Sequence, residues 1–200
     1  MKSDEVMITL PPKLYEQIEE DVSKLHIDLE LSIPINPIDI AHRLGFIVKY
    51  YSEIVNNDED FNLLSKDKNG NQRDGLSYYD SSTKKYIICV NDIDSNTEEH
   101  DNFTIMHEIG HIRMGHKEDS PLAEKIANYY AAYSLVPSPL PRLYSCSSII
   151  DIINIFGVSV TCGEICFNRW IKWQLFSGEI KPYEKKLMAY YKKIRGGTCL

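Results

Sequence analysis

Two histidines four residues apart constrain this chain more than any other feature. His107 and His111 stand in the run TIMHEIGHIRMGH (104–116), which also holds His116 and so carries half of the chain's six histidines. A helix puts residues four apart on one face, about one turn from each other, so both imidazoles can reach a single cation. Ile105, Met106, Ile109 and Ile112 give that helix an apolar surface to bury, and Gly110 lets another backbone come close. Glu108 follows His107 by about 100° round the helix, beside a cation rather than on it. A base there, next to a cation-activated water, is the mechanics of the His-Glu-x-x-His pattern. The competing reading is a surface helix that happens to be rich in histidine, and the apolar residues count against it.

A catalytic zinc site takes three protein ligands and keeps a fourth position open. His116, five residues beyond His111, points off the shared face and is expected beyond the helix end. The extended pattern HExxHxxGxxH would require glycine at 114 and histidine at 117, where this chain has Met114 and Lys117. Glu124, in the following helical stretch, is the better third ligand. Asn128 lies one turn further on the same face, and Ala127 and Ala131 keep that face small. Asn128 is placed to hydrogen-bond the outer nitrogen of a ligating histidine and fix its tautomer. Taken alone, Glu124 reads equally as a first-turn acid favoured by the helix dipole; the histidines upstream tip the reading towards ligation.

The rest of the chain predicts an α+β fold, with helices, then strands, then helices. Residues 11–30 carry Leu14, Ile18, Val22, Leu25 and Leu29 at helical spacing, and a second helix spans 38–44 after Pro37. A strand is expected at 46–51, and a long polar loop at 52–74 is a candidate gate. A hairpin pairs 75–79 with 84–90, and the latter strand is the expected edge template for an extended substrate. Asp101 is the candidate cap of the histidine helix, and Ser120 with Pro121 starts the next. Pro137, Pro139 and Pro141 mark a boundary between a domain at 1–140 and a helical segment at 141–200.

A net charge of −7 argues against general binding to nucleic acid. The last 24 residues carry six basic side chains against Glu179 and Glu184, which reads as a solvated basic helix rather than a docking arm. The first residues lack the apolar core of a signal peptide, and the apolar run at 149–160 is too short and too polar to span a bilayer. Five cysteines without a Cys-x-x-Cys pair indicate a cytoplasmic chain with free thiols. Cys162 and Cys166, one turn apart, read as buried small apolar residues. His26, His42 and His100 read as core or solvated residues. Tyr129, Tyr130 and His116 are candidates for stabilising an oxyanion, with the tyrosines more in character as core residues.

The segments FTIMHEIGHIRMGH (103–116) and EKIANYYAAYSLVP (124–137) together resemble the ImmA/IrrE family of metallopeptidases over roughly residues 30–140. The resemblance implies a zincin-like, gluzincin-type core with a small antiparallel sheet and the HExxH helix, followed by an all-helical C-terminal part. It implies His107, His111 and Glu124 as Zn2+ ligands and Glu108 as general base and acid. It also implies a protein substrate, a helix-turn-helix repressor of a phage, mobile element or bacterial stress system. The alternative is a non-catalytic regulator, or a component of a toxin–antitoxin-like pair, that binds a repressor or DNA. Residues 152–170 have a helix–turn–helix layout. Gly163 departs from that pattern, however, and Arg169 is almost the only base in its second helix, so packing is favoured over DNA binding.

Overall fold

Helix α1 (Pro12–Asp28) opens the part of the chain that the computed structural model describes, residues 9–67, 70–93, 97–118, 120–176 and 179–196. Of the five apolar side chains the helical spacing selects, Ile18, Val22 and Leu25 are buried. Helix α2 (Pro37–Arg43) starts at Pro37, with the Asn36 side chain accepting the Asp39 N–H. Strand β1 (Ile47–Tyr50) is shorter than its sequence signal because Tyr51 begins a turn of helix, α3 (Tyr51–Ile54).

The stretch expected as a polar loop also contains α4 (Asp58–Leu64), capped by Asn57 through the Asp60 N–H. Its few apolar residues decide this: Tyr51, Phe61 and Leu64 cluster with Ile87 and Cys89 on the back of the sheet. Strands β2 (Gly75–Asp80) and β3 (Lys85–Val90) form the expected hairpin, pairing Asp80 with Lys85 and Ser77 with Ile88. The sheet order is β1-β3-β2, with β1 parallel to β3. The sheet is therefore mixed rather than antiparallel, and β3 is its centre, not an edge. The edge template expected at 84–90 is corrected on this point. The reason is that β3 buries both of its faces, Ile88 and Val90 against the main core and Ile87 and Cys89 against the smaller cluster.

Helix α5 (Glu98–Arg113) carries the histidines. Its cap is Thr97, which accepts the His100 N–H, so Asp101 lies inside the first turn. Ser120 caps α6 (Pro121–Leu135) by accepting the Ala123 N–H. Then follow α7 (Leu140–Leu143), α8 (Ile149–Phe156), α9 (Val160–Phe176) and α10 (Pro182–Gly196). The principal apolar cluster runs from Leu10 to Tyr191 and so crosses residue 140. Within it, fully buried His26 donates through Nε2–H to the Ser134 carbonyl at 2.9 Å and accepts from the Tyr191 hydroxyl at 2.7 Å, tying α1, α6 and α10 together.

Helices α8 and α9 meet at a 116° bend after Gly157, whose φ is +62°. They cross so closely that a Cβ on Gly163 would lie 2.7 Å from Ile153 Cγ1. Arg169 faces inwards and donates to the carbonyls of Ala132, at 3.0 Å, and Val136. The two features that break the helix–turn–helix pattern are thus packing features, a close crossing and a cap on the end of α6. Cys89, Cys146, Cys162 and Cys166 are buried and unbridged. Among the described residues no single helix is long and apolar enough to cross a membrane.

Candidate metal centre

Helices α5 and α6 approach each other at Gly110, where an added Cβ would lie 3.0–3.2 Å from Tyr130 Cβ, Cγ and Cδ1. The Tyr130 ring has little freedom to yield. It is fully buried, and its hydroxyl donates to Asp21 on α1 at 2.9 Å. Arg113, from the last turn of α5, grips the same carboxylate through two nitrogens at 2.7 and 2.5 Å. One aspartate therefore fixes the separation and phase of both helices. Gly110→Ala is expected to lower stability by about 1–2 kcal/mol, because overpacking outweighs the gain in helix propensity. Chemical denaturation of the wild type and the variant checks this.

That spacing brings together four of the residues singled out in the sequence. His107 Nε2 and His111 Nε2 are 2.9 Å apart. Glu124 places one carboxylate oxygen 3.3 Å from each of them. Asn128 Oδ1 lies 3.0 Å from His107 Nδ1, the outer nitrogen. Because that oxygen can only accept, the proton sits on Nδ1 and His107 turns a bare lone pair inwards. The three donors lie within 4.8 Å of one another. The polar contacts of His107 and then His111 hold the Glu124 carboxyl far below the usual carboxylate range. Burial disfavours charge on His107, yet Glu124, Glu108 and Asn128 outweigh it and raise its pKa. The cluster thus favours positive charge at its centre. Two imidazoles and a carboxylate converging with a side open to a cleft fit a catalytic divalent metal.

Glu108 stands beside this trio and outside it. It is 7 % exposed, and Oε2 accepts a hydrogen bond from the Ser77 hydroxyl at 2.7 Å. Ser77 comes from β2, which reaches α5 because residue 75 is glycine: a Cβ there would meet Thr104 Cγ2 at 2.7 Å and the Cys89 carbonyl at 2.9 Å. Sequence reasoning missed Ser77. Its only signal is the strand alternation that puts it on the same face as Ile88, its partner across the hairpin.

The site opens into a cleft of about 570 Å³. One wall is Asp74, Gly75, Leu76 and Ser77; the other includes His116 and Glu118. Tyr129 and Tyr130 point away, to Glu19 at 2.5 Å and to Asp21, and take no part in it. His116 lies over the outer side of His111, with Nδ1 3.1 Å from His111 Nδ1. His26 lies in the core and His100 against Asp74, and neither is among the converging donors.

The family model of the IrrE N-terminal-like domain, peptidase M78, matches residues 58–159, just over half of the chain. That span contains the hairpin, Ser77, the histidine helix, Glu124 and Asn128. No curated protein matches the chain. With the match extending over the strands and helices that build the site, this protein belongs to the ImmA/IrrE family of metallopeptidases, whose chemistry implies a bound metal ion.

Proposed function

We propose that this protein is a zinc-dependent endopeptidase of the cytoplasm that hydrolyses a peptide bond in a regulatory protein, a helix-turn-helix repressor. The observation that carries the proposal is the convergence of His107, His111 and Glu124 at the floor of a cleft, with Glu108 alongside and not among the donors. The repressor as substrate class comes from the family resemblance.

A zinc ion bound there would polarise a carbonyl and acidify a water. Glu108 takes the proton from the attacking water and returns it to the leaving amine. Ser77 donates to Oε2 of Glu108, which leaves Oε1 to receive the proton and keeps the carboxylate from rotating. Asn128 holds His107 in the tautomer that ligates. A substrate adds in extended form along β2, whose Gly75–Ser77 stretch lines the cleft and whose other edge is paired with β3.

Purified protein incubated with a helix-turn-helix repressor from the same genome, chosen by a search of the gene neighbourhood, tests the reading. Cleavage that stops on chelation and returns with one equivalent of zinc is expected; an intact repressor at every metal loading overturns it. Ser77→Ala is expected to lower kcat about ten- to a hundredfold with KM unchanged, the value of a lost hydrogen bond to a charged group. Steady-state kinetics on the same repressor reads that split.

A further inference from the structure

Helix α5 ends in a way that brings an imidazole onto a ligand. Met114 is the C-cap, and Gly115 follows with φ +70°. The Gly115 N–H bonds to the Ile112 carbonyl at 3.1 Å, and the His116 N–H bonds to the His111 carbonyl at 3.0 Å. These are the two bonds of a Schellman turn, which sets the second residue past the cap against the third residue before it. In most such turns that contact is apolar. Here it joins two imidazoles, His116 Nδ1 to His111 Nδ1 at 3.1 Å, with ring centroids 5.0 Å apart.

One proton lies between those two nitrogens, and it can sit on either. On His116, it leaves His111 with its own proton on Nε2, facing His107 and Glu124, where a metal must bind. On His111, it frees Nε2 as a lone pair directed at the same point. We propose that His116 is a positioning residue: its Nδ1 accepts the His111 Nδ1 proton and so holds His111 in the ligating tautomer, as Asn128 holds His107. The inference rests on the zinc reading of the site and adds to it a role for the helix stop. Gly115 touches nothing that a Cβ would meet, so its left-handed φ is what places His116.

The full-length protein, stripped of metal and titrated with zinc against a chromophoric chelator, tests this. His116→Leu keeps an apolar contact with His111 and removes the acceptor; His116→Asn puts an amide oxygen about where Nδ1 stood. Zinc affinity is expected to fall about 10–100-fold in His116→Leu, the usual loss for an outer partner. His116→Asn recovers most of it, and the melting temperature of the metal-free protein stays the same in both. Gly115→Ala, which strains the turn without touching the site, also weakens zinc binding. Wild-type affinity in His116→Leu overturns the role of His116 and leaves the zinc reading standing. Equal losses in the Leu and Asn variants, with lowered metal-free melting temperatures, also overturn it, because they mark a packing role. A wild type that binds no zinc overturns both readings.

Discussion

Glu108→Gln is expected to slow repressor cleavage by about 10²–10⁴-fold, the range for loss of a general base. Zinc content and melting temperature are expected to stay at wild-type values. Glutamine keeps the volume of the side chain at this nearly buried position, 7 % exposed, and its amide oxygen still accepts from the Ser77 hydroxyl. What it lacks is a carboxylate oxygen to accept the proton of the attacking water. Metal is retained because Glu108 is not one of the three converging donors, which are His107, His111 and Glu124. Initial rates on the repressor, zinc stoichiometry and thermal melts together decide the matter. Undiminished biological activity in this variant would transfer the function to binding, the role of a non-catalytic regulator.

Acidification is expected to remove about 3 kcal/mol of folding stability between pH 6.5 and 4 through His26 alone. Burial pushes the His26 imidazole down to about 4, against the opposing pull of the Ser134 carbonyl. Between those pH values the unfolded chain carries the proton and the folded chain does not. The unfolded state binds more protons, so stability rises with pH across the window and is lost as pH falls through it. A shift from 6.5 to about 4 corresponds to about 3 kcal/mol at 1.36 kcal/mol for each pH unit. His26 is fully buried, so solvent does not screen this contribution. The measurement is urea denaturation at several pH values, wild type against His26→Gln. The variant is expected to start less stable and to lack this part of the slope; parallel slopes would show that His26 is not the titrating group. Protonation removes the Nδ1 lone pair that accepts from the Tyr191 hydroxyl, so the link it weakens is the one between α1 and α10.

The legibility of the site differs from residue to residue. The relation of His107, Glu108 and His111 follows from helical geometry, because all three lie on one element whose phase the apolar spacing sets. Glu124 and Asn128 share a face for the same reason, and Ser120 announces the start of their helix. Ser77 belongs to a strand 31 residues away, and no local pattern links it to Glu108. His116 lies beyond the helix end and off the metal face, as its spacing predicts, but the spacing does not show that it meets the outer nitrogen of His111. The left-handed turn at Gly115 folds it back. The polar stretch 52–74 concealed two helices, because three apolar side chains meeting the back of the sheet outweigh a window of charged neighbours.

By itself the sequence determined much of what one element's periodicity can carry: which side chains share a helix face, that Ser120 starts α6, and that 75–90 turns back as a hairpin, though it put the start of α5 at Asp101 rather than Thr97. The tertiary structure alone decided which face meets which. That choice rests on contacts between residues far apart in the chain, such as Gly110 under Tyr130, Arg113 and Tyr130 on Asp21, and β3 between β1 and β2. Periodicity sets direction within a segment, whereas distance between segments comes from close packing of remote side chains, and a metal centre needs both.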